Sequence, residues 1–306
     1  MNITVIGSVF VDVKAYPYGK FIPNGRNPGY DIQVYGGVGR NIAENLARME
    51  VGTRFVGLTD LSGTGTDIIN GLKKSGSDTR FIRQTECGMG KWIAVFDDTG
   101  DVAASISVRP DLKALTETIE ERHKEIFEDT DSIILEADID EETVDRVFYY
   151  AKQYGKKIYC VVSVMSITLE RKKYFSDMNC FICNLQEAEM LFGEKLPDGD
   201  TAYIEKYIKQ NLYKTGLKSI IVTLGKNGAV YCDEAGKSGY CPACDVELKD
   251  STGAGDAFAS GAFAEITRGS SFDTACRTGS KIAGAVISSG SNVCPFFDKD
   301  MFCTDA

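Results

Sequence analysis

The chain has 306 residues, of which 43% are hydrophobic, and it carries a formal net charge of −10. This length and apolar content suffice for one α/β domain with a large core, with or without a small appendage. The negative charge argues against nucleic acid or an anionic membrane surface as the main partner. No apolar run approaches the roughly 20 residues that cross a bilayer.

The chain opens with "MNITVIGSVFVDV", which has neither a basic start nor a small-residue cleavage site, and therefore predicts a first strand and not an export signal. Ten cysteines lie mostly in apolar segments, which predicts reduced thiols and a cytoplasmic protein. Cys180/Cys183 and Cys241/Cys244 have the C-x-x-C spacing of a zinc site. The first pair falls in a predicted strand, where residues three apart point to opposite faces, so zinc is only the minor alternative.

Strand-like runs alternate with helical patterns along most of the chain. The predicted strands are 2–8, 54–59, 132–137, 157–162, 180–184 and 219–225. The predicted helices between them are near 39–50, 65–76, 112–128, 140–154, 186–193 and 200–216. This alternation is typical of an α/β fold with a mainly parallel sheet and helices on both faces. A hairpin turn at Asn227-Gly228 and two helices, 254–267 and 271–289, follow.

Two segments interrupt the alternation. Residues 12–35 hold three prolines and three glycines among short alternating runs, and residues 88–108 have the pattern of a hairpin around Asp98-Thr99-Gly100. Neither fits a crossover helix, so we predict a separate small sheet that acts as a lid over a site. Ordinary surface hairpins are the alternative. The predicted core comprises 1–11, 36–87 and 109–306.

The glycine-rich stretches do not match two common nucleotide-binding motifs. The sequence has no G-x-x-x-x-G-K-[ST], so a Walker-type loop is excluded. The dinucleotide fingerprint G-x-G-x-x-G lacks its third glycine whether it is started at Gly37, Gly63 or Gly253.

The stretch "DSTGAGDAFASGAFAEITRG" (250–269) nevertheless has the properties of an anion site. A helix that begins near Ala254 presents free backbone N–H groups and a positive dipole end, and the preceding glycines let a phosphate approach the main chain. Asp256 stands in the first turn of this helix. It is either a first-turn acid that favours the dipole or a base that takes a proton from an attacking hydroxyl. Only the second function also explains the Gly-Ala-Gly segment, since Thr252 can already cap the helix.

"DSTGAGDAF" (250–258) closely resembles the D-T-x-G-A-G-D-x-F signature of the ribokinase-like, PfkB-type carbohydrate and nucleoside kinases. "GGVGRNIAENLARMEVGTRFVGLTD" (36–60) resembles their N-terminal signature, and the motifs appear in the family's order along the chain. The resemblance implies a three-layer α/β sandwich with a β-sheet lid, ATP as phosphate donor, and Mg²⁺. It further implies Asp256 as the catalytic base, with the main chain of Gly253, Ala254 and Gly255 as the anion hole.

Further positions carry over from the resemblance on the nucleotide side. Asn184 and Glu187 in "NLQEAE" match the family's N-x-x-E motif, which acts through the Mg²⁺ and phosphate network. The same pair also has nearly the spacing of a capping box. Thr223 and Gly225 in "TLG" are similar to the nucleotide-contacting loop, at the carboxyl edge of a strand.

On the substrate side, Asp12 matches the acid that bonds substrate hydroxyls, and Gly36, Gly37 and Asn41 match the substrate loop. Two more residues, Asp250 and Thr252, fall where many members hold a monovalent cation; activation by K⁺ is left open. Ser163 stands where many relatives carry an acid-containing turn, which puts one supporting contact in doubt.

The acceptor is predicted from short loops. "NPG" (27–29) followed by "GGVGRNIAENLA" (36–47) is most similar to the pseudouridine kinase branch, so the 5′-hydroxyl of pseudouridine is the leading prediction. Adenosine- or inosine-type nucleoside kinases and ribose- or fructose-type sugar kinases are the alternatives. A nucleotide-binding regulator without turnover is an alternative of another class, against which the retained Asp256 counts. A homodimer formed through the lid also stays open.

Overall fold

Strands and helices alternate through residues 1–302, which are the residues described by the computed structural model. The strands are β1 (Asn2–Ile6), β2 (Phe10–Pro17), β3 (Gly29–Gly36), β4 (Gly52–Asp60), β5 (Asp78–Thr85), β6 (Gly90–Phe96), β7 (Val102–Val108), β8 (Ser132–Glu136), β9 (Lys157–Val161), β10 (Cys180–Asn184), β11 (Ser219–Thr223), β12 (Ala229–Asp233) and β13 (Ser238–Cys241). The helices are α1 (Val38–Arg48), α2 (Gly63–Ser75), α3 (Lys113–Phe127), α4 (Glu141–Gln153), α5 (Met165–Leu169), α6 (Leu185–Phe192), α7 (Thr201–Asn211), α8 (Ala254–Arg268) and α9 (Phe272–Ser289).

The large sheet has nine strands in the order β13-β12-β11-β10-β9-β8-β1-β4-β5. All pairs from β11 to β5 are parallel, and only the two pairs at the other edge, β11–β12 and β12–β13, are antiparallel. The strand order reverses at β1, which lies between β8 and β4. In sheets of this kind the crevice outside the carboxyl ends of the strands at such a reversal is the usual ligand site.

Helices cover both faces of this sheet. In β1 the side chain of Val5 belongs to a buried cluster with α1, α8 and α9, whereas Ile6 belongs to the cluster on the other face, with α3 and α4. This alternation makes a three-layer sandwich and confirms the predicted fold class. Cys180 and Cys183 of β10 likewise pack into different clusters, on opposite faces of the sheet.

A separate sheet of four strands has the order β3-β2-β6-β7, in which β2 and β6 are parallel. Asp12 pairs with Val34 on one side and with Trp92 on the other, so these three side chains share a face. On the opposite face Ile93 lies between Val13 and Ile106, and it is itself exposed, as is Ile106. The predicted smaller sheet is therefore present, while its action as a lid remains a prediction.

Four elements were not predicted with bounds from the sequence. β5 is an edge strand in which only Phe81 is buried, and its polar pattern resembles that of a loop. α5 has five residues, too few to show a helical period. β12 and β13 were anticipated only as a turn at Asn227-Gly228. None of the helices within residues 1–302 has both the length and the apolar character that crossing a bilayer requires.

Candidate active site

The first turn of α8 starts at a glycine that no other residue can replace without strain. Gly253 is the N-cap residue with a φ of +80°, and a Cβ there would lie 2.2 Å from the backbone oxygen of Asn292. Gly255 differs, because a Cβ at this position would meet no protein atom within 4 Å. Space in front of the helix is therefore open at Gly255.

Two backbone donors of this turn point into that space. The N–H groups of Ala254 and Ala257 bond to carbonyls of the turn before them, at 3.1 and 2.9 Å. Between them, the N–H groups of Gly255 and Asp256 meet no protein acceptor among residues 1–302. Free donors at the positive end of a 15-residue helix are suited to bind an anion. Of the predicted anion hole, the N–H of Ala254 is already bonded, to Ser251 O.

Asp256 is held beside these donors by one hydrogen bond. Asn41 Nδ2 of α1 donates to Asp256 Oδ2 at 2.7 Å. Burial raises the pKa of Asp256 to about 6; the hydrogen bond from Asn41 and the charge of Arg40 act to lower it, and the charge of Glu187 acts to raise it. At pH 7 the carboxyl is thus mostly ionised and close to the pKa that suits a general base.

A cleft of about 670 Å³ opens in front of Asp256, between the small sheet and the carboxyl ends of the large one. The predicted site residues that line it are Asp12, Gly36, Gly37, Asn41, Thr252, Gly253 and Asp256. The volume is that of a typical small-molecule site.

The substrate loop leaves the carboxylate of Asp12 accessible. A Cβ at Gly36 would lie 2.9 Å from Asp12 Oδ2, and Gly37 has a φ of +98°, so both positions favour glycine. No protein donor among residues 1–302 bonds to the Asp12 carboxylate. Burial raises its pKa, against the charges of Lys14 and Arg40. A half-buried acid without a partner is suited to accept hydrogen bonds from substrate hydroxyls.

Aromatic rings continue along the same face of the small sheet. Trp92 lines the cleft and meets Phe96 edge-on, with ring centroids 6.5 Å apart. Phe96 stacks on Tyr16 at 4.6 Å, and Tyr16 stacks on Tyr30 at 5.4 Å. The row forms an aromatic surface that starts next to Asp12.

Two buried acids at the end of β8 were missed by the sequence analysis. Glu136 accepts bonds from Ser8 N (2.8 Å) and Ser8 Oγ (2.9 Å), and burial together with the charge of Asp138 raises its pKa to about 7. Asp138 accepts bonds from Ser163 N (2.8 Å) and Ser163 Oγ (2.7 Å). All four residues line the cleft. The signal was available, because Glu136 ends a buried strand of a parallel sheet and Asp138 follows it.

Asn184 and Glu187 form a complete capping box at the start of α6. Asn184 Oδ1 accepts from Glu187 N at 2.9 Å, and Glu187 Oε2 accepts from Asn184 N at 2.8 Å. Glu187 also interacts electrostatically with acids of the cleft. Burial and the charge of Asp138 raise the pKa of Glu187. The charge of Glu187 in turn acts to raise the pKa of Asp256. The pair therefore caps α6, and the carboxylate of Glu187 also contributes negative charge near Asp256.

The remaining predicted residues lie around the cleft and do not line it. Thr223 ends β11 beside Asn184, and Gly225 follows with a φ of +57°. Asp250 Oδ1 accepts a bond from Thr252 N at 2.8 Å, just before α8. Thr223 and Gly225 thus lie at the same carboxyl edge of the parallel sheet as the cleft.

The family of the chain follows from its match to known proteins. The family model described as pfkB family carbohydrate kinase matches residues 1–295. The chain belongs to this family. It is therefore a phosphotransferase with an alcohol acceptor, as the sequence motifs predicted.

Relatives of this pfkB kinase act on different acceptors. It is 31% identical over 293 residues to a guanosine-inosine kinase of Exiguobacterium acetylicum, covering 95% of this chain and 96% of that protein. It is 26% identical over 271 residues to a pseudouridine kinase of Escherichia coli (strain K12), covering 85% and 82%. The structure of Arabidopsis thaliana ribokinase complexed with ribose and ATP shares the fold, with a TM-score of 0.83, 21% identity, and coverage of 95% and 94%.

Proposed function

We propose that this pfkB kinase transfers the γ-phosphoryl group of ATP to the 5′-hydroxyl of a ribonucleoside, with Asp256 as general base. One observation carries the proposal. Asp256 stands beside two free backbone N–H donors at the bottom of a cleft that also holds the unpartnered carboxylate of Asp12 and the ring of Trp92. The acid and the anion site serve the transfer, the hydroxyl acceptor suits the sugar, and the aromatic surface suits the base of a nucleoside.

The chemical step uses the groups of the α8 turn. The 5′-hydroxyl donates a hydrogen bond to Asp256 Oδ1, which no protein donor in the described chain occupies. Its oxygen bonds to the γ-phosphorus as the bond from that phosphorus to the bridging oxygen of ADP breaks, and the hydroxyl proton passes to Asp256. The N–H groups of Gly255 and Asp256 stabilise the charge on the transferring phosphoryl oxygens.

Asp12 is proposed to hold the sugar. Its two carboxylate oxygens can accept hydrogen bonds from the adjacent 2′- and 3′-hydroxyls of a ribose. A 2′-deoxy analogue leaves part of this desolvated acid unpaired, at about 1–3 kcal/mol. In kcat/KM this is roughly a 5- to 150-fold loss. Equal kcat/KM for both analogues would contradict this role of Asp12.

The aromatic row favours a nucleoside over a free sugar. Trp92 lies directly opposite Asp12 in the register of β2 and β6, so a base attached to a ribose at Asp12 can reach its ring. Pseudouridine stays the prediction made from the loops, and the resemblance to a guanosine-inosine kinase makes guanosine and inosine equal candidates. Coupled assays with these three, adenosine, ribose and fructose decide among them.

The charges at this end of the sheet suit Mg²⁺ held mainly by phosphate and water. Besides burial, the charge of Asp138 raises the pKa of Glu187, and the charge of Glu187 raises the pKa of Asp256. Yet among residues 1–302 no group of three or more acids, cysteines or histidines is close enough to enclose a metal ion. Mg²⁺ commonly keeps waters and binds through few carboxylates plus phosphates. When bound, it neutralises charge on the phosphates, and Glu187 is the residue proposed to orient its waters.

Two further proposals concern K⁺ and the small sheet. Asp250 and Thr252 are the residues proposed to lie at a K⁺ site, tested by exchanging K⁺ for Na⁺ in the assay.

The sheet face with Val13, Ile93 and Ile106 is proposed as a homodimer contact, because two of these apolar side chains are exposed side by side.

A further inference from the structure

Arg40, in the first turn of α1, is a buried cation that was not among the predicted site residues. Only 3% of the residue is exposed. Its guanidinium donates to three groups besides its ion-pair partner: Nε to Gly36 O at 3.3 Å, and Nη2 to both Tyr35 O and Asn41 Oδ1. Burial on this scale is rare for arginine and requires that its donors be used.

The bond to Asn41 fixes which way round the Asn41 amide lies. Asn41 Oδ1 accepts from Arg40 Nη2 and, at 3.5 Å, from Asn292 Nδ2, and the other end of the amide, Nδ2, faces Asp256 Oδ2 at 2.7 Å. An amide rotated by 180° would place its oxygen against the carboxylate of Asp256 and its NH₂ group against the guanidinium of Arg40. Both contacts would be unfavourable. Arg40 thus selects the orientation in which Asp256 receives a donor on Oδ2 and keeps Oδ1 for a substrate.

The bonds to Tyr35 and Gly36 hold the strand by which the small sheet joins α1. Both carbonyls lie at the end of β3, immediately before Gly37 and the helix. One guanidinium therefore bonds both to the end of β3 and to the Asn41 amide that contacts Asp256. The planar fork of arginine allows this, whereas the single ammonium of lysine does not.

Glu44, one turn further along α1, balances the charge of Arg40. Arg40 Nη1 and Glu44 Oε2 are 2.5 Å apart, and Glu44 Oε1 is also 2.5 Å from Arg48 Nη2. The charged groups that act on Asp256 from the packed elements are then Arg40 from α1, which favours the ionised form, and Glu187 from α6, which opposes it.

We propose that Arg40 is a positioning residue for phosphoryl transfer, which orients Asn41 towards Asp256 and fixes the lid strand at the same time. This inference rests on the proposed role of Asp256 as the base. The simpler view is that Arg40 and Glu44 merely stabilise α1 as a buried ion pair.

The test compares three variants with the wild type. Arg40→Lys keeps the charge and loses the fork. Arg40→Met combined with Glu44→Leu removes both charges, so that no buried carboxylate is left unpaired and the fold is kept. Arg48→Met is the matched control, because it removes an arginine of the same helix bonded to the same Glu44 but leaves the Arg40 fork intact. For each, thermal unfolding, kcat, and kcat/KM against pH are measured with the best nucleoside.

We expect Arg40→Lys to lower kcat by about tenfold to a hundredfold, the range that misplacement of reacting groups produces, with the acid limb of kcat/KM near its wild-type position. The double variant should lower kcat similarly and move the acid limb to higher pH, because Asp256 loses a nearby positive charge. Arg48→Met should lower the melting temperature only. If the Arg40 variants match Arg48→Met in kcat and pH profile, the inference is wrong. Normal turnover by Asp256→Asn would instead overturn the base assignment on which it rests.

Discussion

At the residue scale, Asp256 is a buried carboxylate that lowers the stability of the folded protein but is required for the proposed reaction. The carboxyl is desolvated, yet it is needed in ionised form. Asp256→Asn keeps an oxygen for the Asn41 bond and removes the charge, so we expect the melting temperature to be equal or higher. We expect kcat to fall by roughly a hundredfold or more, in the range for loss of a general base. Steady-state assays and thermal unfolding measure both. A variant with near-normal kcat would exclude Asp256 as the base.

The pKa of the same residue gives the pH dependence of the reaction. Since burial raises the pKa of Asp256 to about 6, the ionised base is present above that pH and is lost as the pH falls through it. The value of kcat/KM should therefore drop about tenfold for each pH unit below this point. Recording kcat/KM from pH 5 to 8 checks this. A flat profile over this range would mean that no group with this pKa controls the reaction.

Gly255 offers a test of the anion site that does not disturb the fold. A Cβ at Gly255 meets no protein atom within 4 Å, so the side chain of Gly255→Val enters open space, where phosphate is proposed to lie. We expect a folded protein without activity, even with saturating nucleoside. Gly63→Val is the matched control, because it too adds a side chain in open space in the first turn of a helix, α2. Wild-type turnover by a folded Gly255→Val protein would place the phosphate elsewhere.

At the scale of elements, the sequence predicted those features that depend on the hydrophobic periodicity of strands and helices and on their order along the chain. The alternation of strands and helices and the glycine-rich start of α8 are local patterns, and both the fold class and the family were confirmed. The orientation of Asn41 could not be predicted, because it is set by Arg40 through contacts among side chains and carbonyls. The place of Asp138 after a strand could have been read from the sequence, but its bond to Ser163 could not, because Ser163 lies 25 residues away and meets it only in the folded sheet.

At the start of α6, melting temperature and Mg²⁺ dependence together show whether Glu187 acts on the metal or only caps the helix. Glutamine can still complete the capping box, so Glu187→Gln should keep the melting temperature while raising the Mg²⁺ concentration for half-maximal rate. Asp200→Ala is the control, since it removes the cap of α7, at about 0.5–2 kcal/mol, and should leave the Mg²⁺ dependence unchanged. An unchanged Mg²⁺ requirement in Glu187→Gln, with a lower melting temperature, would leave Glu187 a purely structural role.

At the scale of the whole molecule, the small sheet has one face on the cleft and an apolar face away from it. If the second face joins two copies, Ile106→Lys should give a monomer by size-exclusion chromatography with light scattering. Ile32→Lys changes an exposed isoleucine on the cleft side of the same sheet and should leave the mass unchanged. A wild-type protein that is monomeric at all concentrations would exclude the dimer but would leave the kinase proposal untouched.

The central claim is that the cleft phosphorylates a ribonucleoside at its 5′-hydroxyl. The most direct measurement is kcat/KM with ATP and Mg²⁺ for guanosine, inosine, pseudouridine, ribose and fructose, with the phosphorylated position of each product identified by ³¹P NMR. We predict a nucleoside 5′-monophosphate and ADP as products, with one nucleoside exceeding both sugars by roughly tenfold or more, a ratio that a few pocket contacts can supply. Ribose or fructose ahead by that factor would contradict the nucleoside assignment and leave a sugar kinase.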